Sequence, residues 1–317
     1  MQFRSFALLL LIVILTAFST AFAYSGFPYW VEHDENGNPL DNIWVKVNLT
    51  ANEPLEFYVY YGSSTAPSYS DGDSVFEFFD DFDGSSLDTS KWVGRGTPTV
   101  QNSKVTIDAT NEDIYSISSY GFGYILEAYA DISSSVYGSL GFHNSDYLSS
   151  YYFNIFQEDY PNAGLNSRSY DSSTGNGENY ALGTYTGFHI LRIDRIDSNN
   201  VQYYVDDTFV ATHTVNPTQS LPVLVSRSDS ASSSGSVVVD WVFVRKYSST
   251  EPTIQYGSEE SGSWTIEGHT YTKRKKVTIT SSENLQEFQV ALDYSQFNDD
   301  KVYIAEFEIE LNQTITP

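Results

Sequence analysis

The chain has 317 residues, with 16 Lys and Arg against 41 Asp and Glu, a formal charge of −25 at pH 7. Such a surface repels nucleic acid and anionic membranes and suits neutral sugars, divalent cations and solubility. Cysteine is absent, which excludes disulfides and leaves stability to core size and bound metal.

In chain order, residues 1–23 read as a secretory signal peptide. Arg4 supplies a weak positive start, Phe6 to Leu15 run without a polar residue, and Ala21-Phe22-Ala23 has the small-x-small cleavage pattern. A membrane anchor is the rival reading, but Thr16, Ser19 and Thr20 interrupt the run before it reaches the roughly 20 residues of a span. The mature chain is expected to be secreted or held at the cell surface, without a membrane span.

Alternation with a period of two follows throughout, as expected of a chain with 25 Tyr and 20 Phe and many β-branched residues. Ile43 to Val47, Leu55 to Tyr61, Lys104 to Ile107, Tyr124 to Ile132, His189 to Asp194, Val201 to Val205 and Val237 to Val244 read as strands. Asp206-Asp207 between two apolar runs marks a tight hairpin. No segment carries a helical stripe, so an all-β sandwich or barrel is expected. Polar Pro/Gly/Ser stretches, Ser63 to Asp73 and Ser248 to Ser263, bracket a central block.

That block carries a recognisable set of phrases. Phe79-Asp80-Asp81-Phe82-Asp83-Gly84-Ser85-Ser86-Leu87-Asp88-Thr89-Ser90-Lys91-Trp92 resembles the opening of concanavalin A-like jelly rolls, including laminarinase-like glycoside hydrolases and LamG-like domains. Tyr124 to Ala128 is similar to the early strand of that fold, Gly187 to Asp194 and Tyr203 to Ala211 to its late hairpin, and Asp240 to Arg245 to its closing strand. The resemblance implies an antiparallel jelly-roll sandwich over residues 79–247.

The flanks resemble another module, a domain of unknown function common in archaeal and bacterial surface proteins. Phe27 to Glu32, Ile43 to Val47 and Tyr58 to Gly62 are similar to its second half, and Tyr271 to Ile279 with Phe288 to Leu292 to its first. The halves stand in reversed order around the jelly roll. Residues 24–73 and 264–317 are therefore expected to be two halves of one smaller β-sandwich, with 248–263 as a linker. Each half alone is too small to bury Val45, Val47, Phe57 and Val59, or Val277, Ile279, Val290 and Leu292. Closure within one chain is expected; closure between chains would build a homo-oligomeric filament.

Jelly-roll glycosidases place carboxylates on alternate residues of one strand, as Glu-x-Asp-x-Glu or Glu-x-Asp-x-x-Glu, so that they share a face. The resemblance puts that motif between Gly138 and Asn166. Glu158 and Asp159 are adjacent there and point opposite ways, so the motif is missing and the pair reads as solvated acids of a loop or strand end. Glu306-Phe307-Glu308-Ile309-Glu310 has the spacing but lies outside the resemblance, and a strand with a solvated glutamate face explains it. No H-x-H, H-E-x-x-H or G-x-S-x-G pattern occurs. No catalytic residue is assigned, and an enzyme is not expected.

Binding residues remain. The resemblance implies one structural calcium where the first and last strands meet, held by the side chain and carbonyl of Asp240 and the carbonyl of Asp81; a strand-end acid is the other reading of Asp240. Tyr147, Tyr151, Tyr152, Tyr160, Tyr170 and Tyr180 fall among Asn, Asp and Gly and offer a stacking platform for sugars. Ordinary sandwich packing accounts for such tyrosines equally well. Asn48-Leu49-Thr50 and Asn312-Gln313-Thr314 are glycosylation sequons. The expected function is a non-catalytic surface protein that binds polysaccharide or cell-surface glycan or acts in adhesion. A structural or filament subunit and a glycoside hydrolase are the alternatives.

Overall fold

The computed structural model describes residues 26–109, 112–132, 137–144, 151–158, 164–227, 235–305, 308–309 and 314–315. The signal-peptide reading, Tyr147, Asp159, Tyr160, Glu306, Phe307, Glu310 and Asn312 lie outside them. Strands dominate because alternating residues each find a core on one side. The described strands form four sheets.

Two of these make an antiparallel jelly-roll sandwich. One sheet runs in the order Asn176–Gly183, Leu165–Asp171, Tyr152–Glu158, Gly138–His143, Leu221–Arg227, Glu112–Tyr120 and Trp92–Arg95. The other runs Thr208–His213, Asn200–Val205, His189–Asp197, Tyr124–Asp131, Val237–Lys246, Val105–Ile107 and Thr99–Val100. Its Val237–Lys246 strand also pairs with Phe78–Asp80, so the first and last strands of the sandwich are neighbours. Ile114, Phe142, Phe156, Leu191, Ile193, Val225, Val239 and Val242 fill the space between the sheets. Asp206 and Asp207 have φ of 47° and 58°, the left-handed pair that a two-residue hairpin demands.

The chain ends supply the remaining sheets. Pro39–Leu49 lies between Tyr29–His33 and Leu285–Asp293. Leu55–Tyr61 lies between Tyr303–Ala305 and His269–Thr280, with Glu260–Ile266 and Thr314–Ile315 beyond. In register, Val59 faces Lys275 and Phe57 faces Val277, while Val45 faces Val290 and Val47 faces Phe288. The strand-edge demand of each end is thus met within the chain. Val45, Val47, Phe57, Val59, Val277, Ile279, Val290 and Leu292 share one core.

Residues 248–263, expected as a linker, are partly strand. Thr253–Tyr256 pairs with the end of His269–Thr280, because its alternate residues Ile254 and Tyr256 pack on that core. The polar stretch Ser63 to Asp73 ends in a single helical turn, Gly72–Val75, capped by Asp71.

A third core joins the pairs of sheets. Trp30 and Trp44 leave the outer face of the three-stranded sheet and meet Trp241 and Phe243 of the jelly roll, with Val75, Phe76 and Phe79 between. The four sheets therefore stack in sequence, and the seven-stranded sheet keeps an outer face free of this stack. No helix among the described residues is long and apolar enough to cross a membrane.

Candidate functional site

The outer face of the seven-stranded sheet is set by parity. Leu140, Phe142 and Phe156 turn inward to the core, so Ser139, His143, Phe153, Ile155 and Gln157 turn outward. Register then aligns them in rows. Ser226, Ser139 and Gln157 form one, and Leu224, Gly141, Ile155 and Arg168 the next. His143, Phe153 and Tyr170 form the third. With Arg95, Tyr137, Tyr151 and Arg227 the side chains of these rows line a groove of about 490 Å³, within the usual size of a ligand site.

The third row is an aromatic ladder. The rings of His143 and Phe153 stack at 5.3 Å, and those of Phe153 and Tyr170 at 5.8 Å. Tyr151, 46% exposed, stands edge-on to His143. Burial pushes the His143 imidazole down to about 4, so the ring is neutral at pH 7. Its Nδ1 lies 2.5 Å from the Asn144 carbonyl. Polar groups run beside the ladder: Gln157 Nε2 donates to Ser139 Oγ at 2.8 Å, and Gln157 Oε1 accepts from Arg168 Nη1.

Among the described lining residues there is no Asp or Glu. Glycoside hydrolysis by acid and nucleophile needs two carboxyl groups flanking the bond. The alternate positions that face the groove hold Ser139, Gly141 and His143 on one strand, and Phe153, Ile155 and Gln157 on the next. Glu158 is buried and on the opposite face, 8% exposed, which corrects the expectation of a solvated acid. The reason is its place at the inner edge of the sandwich, beside Ala130, Ile132 and Leu165. Glu308 is exposed and pairs with Arg274 at 2.7 Å, on a different sheet from the groove.

The structure divides the tyrosines of the expected platform. Tyr151 and Tyr170 line the groove. Tyr152 packs on the sandwich core, since one residue of offset reverses the face. Tyr180 sits opposite Ser167 in the ladder and edges against His213 at 4.9 Å, on the inner side of the outermost strand. These two do not join the groove. Asn48 is exposed, its Oδ1 accepting from the Glu287 amide at 2.7 Å. Sequence reasoning overlooked Arg95, Ser139, His143, Phe153, Gln157, Arg168 and Arg227. Their signal is the outward parity of Ser139 to His143 and of Phe153 to Gln157.

Asp81 and Asp240 meet in a second cleft, between the jelly roll and the turn Asp34 to Gly37. Burial pushes the Asp240 carboxyl up to about 7, with Glu35, Asp34 and Asp81 adding to the effect and Lys104 opposing it. Asp240 Oδ2 is buried and without a hydrogen-bond partner. That orphaned oxygen fits a cation. Lys104 Nζ occupies the same cleft, bonded to the carbonyls of Glu35 and Asn102 at 2.7 and 3.2 Å. Among the described residues no three His, Cys, Asp or Glu cluster as a metal site, so carbonyls and water would have to complete the 6–8 oxygens calcium takes.

Fold and groove together define an antiparallel jelly-roll sandwich with an open groove on its outer face, whose described lining residues include no Asp or Glu. Residues 18–95 match the domain of unknown function DUF2341. No curated protein matches the chain. Solved structures similar to it include a glycosyl hydrolase family protein from Mycobacterium fortuitum, at 17% identity and TM-score 0.43, covering 53% of this chain and 99% of that one. A second is an immunostimulatory antigen and pseudo β-1,3-glucanase of Mycobacterium tuberculosis, at 13% identity and TM-score 0.44, covering 55% and 100%. A third is β-agarase A in complex with oligoagarose, at 15% identity and TM-score 0.42, covering 52% and 89%.

Proposed function

We propose that the chain is a secreted or cell-surface protein that binds a polysaccharide in the groove of the seven-stranded sheet without cleaving it. The observation that carries this reading is the floor itself. The His143–Phe153–Tyr170 ladder, with the exposed Tyr151 ring edge-on to His143, runs beside Ser139, Gln157 and Arg168, and no carboxylate is among the described lining residues. Aromatic faces stack on sugar rings while amides and hydroxyls bond their hydroxyl groups. In this reading the chain is two units, the jelly roll and a smaller sandwich of both ends in reversed order, with Asn48 and Asn312 as glycan acceptors.

A glycan array and reducing-sugar release from β-glucans test the proposal together. Binding without turnover is expected. Tyr151→Ala and Tyr170→Ala should each weaken binding about tenfold, while Glu158→Gln and Glu308→Gln leave it unchanged. Robust sugar release that disappears in either glutamine variant would restore the hydrolase reading. The filament alternative has less support, since the strands it would exchange are paired within the chain.

A structural calcium at Asp81 and Asp240 belongs to the same proposal, supported by the orphaned Asp240 oxygen. Excess calcium at about a hundred times its Kd should add roughly 2.7 kcal/mol of stability, lost on chelation. A melting temperature indifferent to chelator and to added calcium argues for Lys104 as the permanent occupant of the cleft.

A further inference from the structure

We infer that the groove selects an anionic polysaccharide, a glycan carrying carboxylate or sulfate groups, and that Arg168 takes the acidic substituent. This rests on the reading of the groove as a glycan site and goes beyond it to the substrate class. The first ground is a local inversion of charge. The chain has 16 basic residues against 41 acidic ones, yet Arg95, Arg168 and Arg227 line this groove and no carboxylate does among the described residues.

The arginines are not equivalent. Arg95 is committed to Asp113, whose carboxylate lies 2.8 Å from its Nε and is 1% exposed. Arg168 meets no carboxylate among the described residues. Its Nη1 donates to Gln157 Oε1, and its guanidinium carbon lies 5.8 Å over the Phe153 ring. Gln157 is itself held by Ser139, so the relay from Ser139 through Gln157 fixes the fork. One of five N–H donors is used there. The rest have no hydrogen-bond partner among the described residues and point no cation at an acid of the protein.

A planar guanidinium so placed matches a carboxylate or sulfate through two parallel hydrogen bonds. The ring beneath it belongs to the aromatic ladder, so a sugar lying along the ladder between Tyr151 and Tyr170 brings its substituent to the fork. His143 is neutral at pH 7 and adds no charge. Discrimination therefore falls to arginine. Elsewhere the surface repels polyanions, so binding cannot come from a diffuse basic field.

Calorimetric titration of the full chain with polygalacturonate, dextran sulfate and laminarin tests this, with Arg168→Gln, Arg168→Lys and Tyr151→Ala as variants. Polygalacturonate or dextran sulfate should bind more tightly than laminarin, and the tighter of the two tells carboxylate from sulfate. Arg168→Gln should weaken that binding about tenfold at an unchanged melting temperature. Arg168→Lys should recover only part, since it restores the charge without the fork. Equal affinity for charged and neutral chains, or an Arg168→Gln variant that binds like wild type, overturns the inference. If laminarin alone binds and Tyr151→Ala weakens it about tenfold, the charge inference falls while the glycan reading stands. If none of the three binds, both fall.

Discussion

Trp30→Ala is expected to lower the unfolding free energy by about 3–5 kcal/mol, the range for deleting a large buried aromatic. Trp30 is 4% exposed and meets Phe76, Phe79, Trp241 and Phe243 edge-to-face at 5.1–5.9 Å. Its neighbours in sequence, Tyr29 and Val31, are locked into the other core. The sheets on either side thus have anchors of their own and cannot close over the void. Hydrogen bonds also cross the joint: Trp241 Nε1 donates to the His33 carbonyl at 2.8 Å, Gln289 Nε2 to the Val75 carbonyl at 3.0 Å, Tyr129 Oη to Glu35 Oε2 at 2.8 Å and the Lys246 amide to Gln289 Oε1 at 3.1 Å, but none of them fills the space that the Trp30 ring occupies. Scanning calorimetry should show one transition in the wild type and a lower, divided one in the variant. Ile117→Ala, at a side chain 56% exposed, should stay within about 0.5 kcal/mol of wild type. A Trp30→Ala protein that melts like wild type would mean that the third core joins nothing.

The joint was less legible in sequence than the cores it connects. Val45, Val47, Phe57 and Val59 alternate cleanly, and so do Val277 and Ile279, because each faces one apolar layer. Trp30 and Trp44 lie on the other side of the same strands, where alternation makes a residue look solvated. They are buried because a second layer covers them, and no local pattern reports a second layer. The groove sheet hid itself for the opposite reason. Its inner face carries Asn154, Ser167 and Ser169; the two serines bond to His213 and Tyr203 across the sandwich at 2.7–3.0 Å, and Asn154 Nδ2 donates to Ser169 Oγ at 2.9 Å. A strand polar on both faces has no hydrophobic period to read. Counting tyrosines in that stretch found the right neighbourhood, but only parity separates Tyr151 from Tyr152. A lone Arg168 among Ser and Asn has no signature until register sets it opposite Ile155, diagonal to Gln157.

Glu32→Gln is expected to make stability less dependent on pH between about 5 and 8. Glu32 is 1% exposed on the strand that carries Trp30. Its carboxyl accepts from Trp44 Nε1 at 2.6 Å and Asn42 Nδ2 at 3.0 Å. Burial is the largest influence and pushes the group up to about 8, with Glu127 and Asp207 adding repulsion and the two hydrogen bonds drawing it down. Arg245 does not relieve it. That guanidinium lies over the Trp44 ring and is taken by Glu127 at 2.7 Å and Glu251 at 3.2 Å. The folded protein therefore holds a proton that the unfolded chain, with an ordinary value near 4.5, has given up. Stability from this group is complete below about pH 4.5, declines as pH rises and is gone above about 8. At about 1.4 kcal/mol per unit the loss is on the order of 3–5 kcal/mol. Glutamine keeps the acceptor for Trp44, and a turned Asn42 amide can accept from its new donor. Denaturant titration should thus find the variant close to wild type at pH 4.5 and more stable by that amount at pH 8.5. A difference that is the same at both ends would place the carboxylate in contact with water, and a variant less stable at pH 8.5 would mean that the charged form is the one the fold prefers.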